Sequence, residues 1–150
     1  MRLTPLAVFL TACHCLPVPV MDPTPPSGGL IIEYRQPGGP RVSHTVAPSD
    51  PEVTINASKD DNITVLYSAS DPQGVRSATL VYDMKYYSGI TLVQPLLAPV
   101  EVTASCPKEL LLNTKKFEPD GHPWQYSFAT RAENWLAAYT QTPTVKIHTQ

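Results

Sequence analysis

The sequence predicts an all-β fold, a sandwich of two sheets closing on a shared core. Three observations lead there. Seventeen prolines are spread through 150 residues, and proline interrupts helices and central strands, which favours short strands between turns. Several stretches alternate apolar and polar residues with a period of two, the pattern of a half-buried strand. Turn signals separate those stretches, and no convincing amphipathic helix stands between them.

Taken in order, "GLIIEYRQPGGPRVSHTVAP" predicts a strand over Leu30–Arg35, a turn at Pro37-Gly38-Gly39-Pro40 and a strand over Val42–Ala47. Val53–Asn56 comes next, then a polar turn at Lys59-Asp60-Asp61-Asn62 and a strand over Ile63–Ser70 with Ile63, Val65, Tyr67 and Ala69 on one face. The turn Asp71-Pro72-Gln73-Gly74 leads into Val75–Asp83, where Ala78, Leu80 and Tyr82 share a face. In such a turn Asp bonds the backbone ahead of it, Pro fixes φ, and Gly releases the chain into the next strand. Pro95, Pro99, Pro107 and Pro119 break up the middle, where short strands are expected near Ile90–Val93, Val100–Ala104 and Leu110–Phe117; "KELLLNTKK" reads alternatively as a helical turn. Tyr126, Phe128, Thr130 and Ala132 then alternate with polar or small partners, as do Val145 and Ile147.

The totals bound the function. Hydrophobic residues make up 42% of the chain and charged residues 16%, enough apolar material for one core. The net charge is −2, and no run of Lys or Arg exceeds Lys115-Lys116, so the electrostatic footprint of a nucleic-acid binder is missing.

The first fifteen residues speak about address. Arg2 precedes the apolar run Leu3–Leu10, the layout of a secretory signal and far short of the roughly twenty residues that cross a bilayer as a helix. Leu10-Thr11-Ala12-Cys13 then resembles the lipobox of bacterial lipoproteins. By that resemblance the chain is cut before Cys13, which becomes acylated and holds the protein to membrane lipid. In place of the Asp that signals inner-membrane retention in that family stands His14, which directs the expectation to the outer membrane or cell surface of a bacterial envelope. A Cys-His-Cys metal site is the weaker reading of Cys13-His14-Cys15, because no partner of zinc-like spacing follows. Cys15 and Cys106 are the thiols left over; a disulfide between them and a free, partly buried Cys106 both stay open. Residues 14–29 carry five prolines and read as an extended tether able to reach about 50 Å. The expected organisation is a lipoprotein signal peptide over 1–12, a Pro-rich tether over 13–29 and a sandwich over 30–150.

"ITVLYSASDPQGVRSATLVYD" and "DGHPWQYSFATRAENWLAAYTQTPTVKIHTQ" resemble the B–C and F–G regions of bacterial immunoglobulin-like and cadherin-like domains. The resemblance covers about half the chain and implies an immunoglobulin-like antiparallel β-sandwich. Here no cysteine pair links the B and F strands, so apolar contacts must hold the sheets together. Cadherin-like domains bind calcium through loop carboxylates, which draws attention to Asp50, Asp60, Asp61, Asp71 and Asp120. The family's D-x-D appears as Asp71-Pro72-Gln73 and lacks one carboxylate, so the default is solvated turn residues and no cofactor. Tyr86, Tyr87, Trp124, Trp135 and Tyr139 lie at expected strand ends or loops. Trp135, Trp124, Tyr86 and Tyr87 are the candidates for binding a glycan or protein partner, set against plain core and rim packing. No nucleophile, base and orienter can be assembled and no phosphate loop or zinc helix motif is present, so catalysis is not expected. Asn56-Ala57-Ser58 and Asn62-Ile63-Thr64 match the glycosylation acceptor pattern, plausible acceptors near one turn in a eukaryotic secretory protein and chance matches under the bacterial reading.

Overall fold

The computed structural model describes residues 23–95, 100–103 and 110–150. Cys13, Cys15 and Cys106, and with them the expected lipidation and disulfide, lie outside the described residues.

Eleven strands and no helix are described: β1 (Ser27–Arg35), β2 (Arg41–Val46), β3 (Val53–Ala57), β4 (Ile63–Ser70), β5 (Val75–Ser88), β6 (Thr91–Val93), β7 (Val100–Thr103), β8 (Leu111–Phe117), β9 (Gln125–Asn134), β10 (Tyr139–Gln141) and β11 (Val145–Thr149). They form the two-sheet sandwich that the alternation implies. One sheet runs β2-β1-β4-β8; the other runs β3-β11-β9-β5, with β6 and β7 both on the outer edge of β5 and β10 extending the partnership of β9. The described part of "KELLLNTKK", from residue 110 onward, follows the strand reading, since β8 pairs with β4 from Leu111 to Phe117. The second sheet departs from a purely antiparallel plan: β3 lies parallel to β11, with Val53 opposite Val145 and Ala57 opposite Thr149.

The central strands form because their period of two puts one apolar row in the gap between the sheets. Ile63, Val65, Tyr67 and Ala69 of β4 are all fully buried, and they face Tyr126, Phe128 and Ala132 of β9 together with Val145 and Ile147 of β11. On β5 the inward row shifts parity. Val75 is buried and so are Ala78 and Leu80, because a bulge between Val75 and Ser77 absorbs one residue against β9. Rings fill the middle of the gap: Phe117 lies 4.8 Å from Phe128, 5.8 Å from Tyr126 and edge-on to Tyr82 at 5.0 Å, centroid to centroid. These contacts hold the sheets together where antibody-type domains use a disulfide.

The turns follow their residues. Gly38 adopts a φ of 64°, and Gly39 donates to the Gln36 carbonyl, closing the β1–β2 hairpin. At the β4–β5 turn the Asp71 carboxylate accepts the Gln73 N–H at 2.7 Å, and Gly74 donates to the Asp71 carbonyl at a φ of 96°.

Candidate functional site

The registers divide the loops between two ends. At one end stand the start of the described chain, the β4–β5 turn and the β9–β10 turn, because Ser27 pairs with Ser70 and Val75 with Asn134. At the other stand the β1–β2 and β3–β4 turns, the β5–β6 hairpin and residues 118–124, because Ile63 pairs with Phe117 and Lys85 with Gln125.

At the first end a buried polar knot fastens the incoming chain. Asn134 is 1% exposed; its side-chain amide donates to the Thr24 carbonyl at 3.0 Å and to the Asp71 carboxylate at 3.4 Å. Its side-chain oxygen accepts the N–H groups of Leu136 and Ala138, both at 3.0 Å. Thr140 adds a second fastening, its hydroxyl donating to the Pro26 carbonyl at 2.6 Å. Gly28 lets β1 press against β4, since a Cβ there would sit 2.9 Å from the Ser68 carbonyl oxygen. The chain is therefore fixed to the sandwich from Thr24 onward, and β1 starts at Ser27, three residues ahead of the Leu30 that alternation alone suggests. Asn134 also shapes the β9–β10 turn, in which Ala137 takes a left-handed φ of 62° and Ala137 N–H bonds the Asn134 carbonyl. The tip of that turn presents Trp135 and Leu136, each about half exposed, with Tyr139 beside them and the Arg131 guanidinium 4.1 Å above its ring.

The opposite end gathers other rings. Tyr86 lies 4.4 Å from Trp124 and 4.8 Å from His122, centroid to centroid. Trp124 is held by its indole N–H donating to the Pro119 carbonyl at 2.9 Å, while its backbone N–H bonds the Thr149 hydroxyl at 2.7 Å. The Tyr86 and Trp124 planes meet at 65°, so these rings turn on one another and do not form a flat platform. Tyr87, on the opposite face of β5, is exposed, and the hairpin it begins carries exposed Ile90 and Leu92. Of the four aromatic candidates, Tyr86, Tyr87 and Trp124 thus share one end and Trp135 stands at the other.

The carboxylates are also divided. Asp71 is 2% exposed at the end where the chain enters, whereas Asp60, Asp61 and Asp120 line a cleft with Glu118 at the opposite end. Asp61 is engaged by two guanidinium groups, Arg35 at 2.9 Å and Arg41 at 3.2 Å, and Arg41 also reaches the Asn62 carbonyl and the Thr64 hydroxyl. Loss of surrounding water by itself raises the Asp61 pKa. The Asn62 N–H, the Arg35 hydrogen bond and the two cationic charges outweigh it and hold the carboxyl below its ordinary value. Asp50 accepts the Ala47 N–H at 2.7 Å within the β2–β3 loop. Among the described residues no three His, Cys, Asp or Glu side chains converge as a metal ion requires. Beneath the rings, burial and the Asp120 charge push the Tyr126 phenol far above its usual range, and its hydroxyl has no hydrogen-bond partner among the described residues.

Sequence reading missed Asn134 and Thr140, the residues that fix the entering chain. The available signal was an Asn one position before Trp135-Leu136 between two alternating stretches, since Asn is suited to bonding the backbone ahead of it. No protein-family model matches this chain, and a search of curated proteins finds no match.

Proposed function

We propose that this chain is a bacterial lipoprotein, held to the cell envelope by acylated Cys13 and presenting one immunoglobulin-like sandwich that acts by binding or structural support and not by catalysis. The observation that carries the reading is Leu10-Thr11-Ala12-Cys13, standing directly behind a basic residue and an apolar run. An anchor of this kind works by removing methylenes from water, at about 0.8 kcal/mol each, so two or more chains make release negligible. The fold is compatible with this use: the sandwich receives the chain at one end, through Thr24 and Pro26, and leaves the other end free of that attachment. The strand order supports the immunoglobulin-like part of the reading, with β1, β4 and β8 corresponding to strands A, B and E and β5, β9 and β11 to C, F and G.

For the module itself, the exposed Tyr87, Ile90 and Leu92 favour a protein partner on the β5–β6 hairpin, since apolar side chains grouped in one exposed hairpin mark contact surfaces. A carbohydrate-binding role is the second reading, favoured by the convergence of Tyr86, Trp124 and His122; a glycan array compared with Trp124→Ala separates the two. Detergent phase partitioning tests the anchor. Wild-type protein is expected in the detergent phase and Cys13→Ala in the aqueous phase; equal partitioning of both overturns the proposal.

A further inference from the structure

We propose that the Trp135–Leu136 tip of the β9–β10 turn is a bilayer contact, so that the sandwich stands on the membrane with this end down and its β5–β6 hairpin outward. The inference rests on the lipid-anchor reading above and adds the orientation. Three observations converge on it. First, the chain enters at this tip: the same Asn134 whose side-chain oxygen shapes the turn holds the Thr24 carbonyl at 3.0 Å, and Thr140 of the adjoining strand holds Pro26. Second, only ten residues, His14 to Pro23, separate Cys13 from that fastening, and ten residues span at most about 35 Å even when fully extended. The tip is therefore kept near the surface at a high effective concentration, and a weak contact suffices to seat it. Third, its chemistry suits the interface. Trp135 is 51% exposed, Leu136 49% and Tyr139 52%. Trp and Tyr are the residues enriched at headgroup level, with an apolar body and a polar edge.

Charge does not oppose the contact. Residues 135–140 carry none, and among the described residues the acids at this end are engaged: Glu133 with both Arg76 and Arg131, Asp71 within the buried knot, and Asp50 with the Ala47 N–H. The turn is also preset, since Asn134 already satisfies the Leu136 and Ala138 N–H groups and fixes how the tip is presented. Ordering costs on contact are correspondingly small.

The experiment places the processed, acylated protein in phosphatidylcholine vesicles with and without brominated acyl chains and reads tryptophan emission. Trp135→Phe isolates the Trp135 signal by difference, and Trp124, at the far end, serves as internal control. The expected result is loss of Trp135 emission in brominated vesicles, protection of Trp135 from acrylamide, and no bromine effect on Trp124. Vesicle-bound protein whose Trp135 is unquenched by bromine and open to acrylamide overturns the orientation and leaves the anchor standing. Bromine quenching of Trp124 as well as Trp135 lays the domain on its side and also overturns it. Acrylamide protection of Trp135 in detergent micelles, without bromine quenching in vesicles, makes the tip a contact between copies and refutes the bilayer. Protein that never binds vesicles and partitions as Cys13→Ala does brings down the anchor and the orientation together.

Discussion

Asn134→Ala removes the centre of the knot that joins the entering chain to two turns. Four hydrogen bonds disappear: two donated by the amide, to Thr24 and Asp71, and two accepted by its oxygen, from Leu136 and Ala138. The three at 3.0 Å are each worth about 0.5–1.5 kcal/mol net, and the longer contact to Asp71 less. Asp71 keeps its bond from the Gln73 N–H but loses its neighbour at a site 2% exposed, which adds about 1 kcal/mol for a poorly satisfied buried group. The sum is about 3–4 kcal/mol, or a fall of about 10 °C or more in Tm for a domain of this size. Urea unfolding followed by far-UV circular dichroism measures it. Asn134→Asp is the sharper control: it keeps the acceptor but sets a second carboxylate against Asp71, so it should lose stability at neutral pH although the acceptor of the turn is retained. A loss below about 1 kcal/mol for Asn134→Ala refutes the idea that this side chain organises that end of the fold.

Three further perturbations test other parts of the fold. Gly28→Ala drives a methyl group to 2.9 Å from the Ser68 backbone oxygen and should cost about 1–3 kcal/mol in chemical denaturation. Asp61 has a lowered folded pKa, so its contribution is present above the ordinary value of 3.8 and is lost as pH falls through the folded one; thermal melts of Asp61→Asn should be flatter with pH across that acidic window than those of the wild type. Tyr126→Phe removes a buried hydroxyl with no partner among the described residues, and should be neutral or stabilising by up to about 1 kcal/mol at pH 7. The raised phenol pKa adds a second sign: stability is intact below the ordinary phenol range and declines above it in the wild type, and Tyr126→Phe loses that part of the alkaline decline.

How far the sequence carries is visible in particular elements. β4 was legible because Ile63, Val65, Tyr67 and Ala69 are an unbroken alternation between two turns, and the Asp71–Gly74 turn because each residue has a distinct backbone role. β5 was legible at its start and not in its length: past Asp83 the run Met84-Lys85-Tyr86-Tyr87 has no clean period, yet the strand continues to Ser88 because β9 and β6 both pair with it. The parallel β3–β11 pair joins residues about ninety positions apart, and nothing local to Val53–Ala57 encodes its partner. The division of the aromatic candidates is likewise a property of topology. Trp124 and Trp135 are eleven residues apart in sequence, but β9 runs the length of the sandwich between them and delivers them to opposite ends. Asn134 was legible only as a turn residue that bonds Leu136 and Ala138 ahead of it; its hold on the entering chain was not, because Thr24 and Asp71 arrive from elsewhere in the topology.

The intact mass of the protein extracted from a bacterial envelope fraction decides whether Cys13 is the anchor. The lipid anchor requires a chain that begins at Cys13 and carries added acyl mass lost on Cys13→Ala; a chain that retains Met1 and bears no acyl mass refutes it.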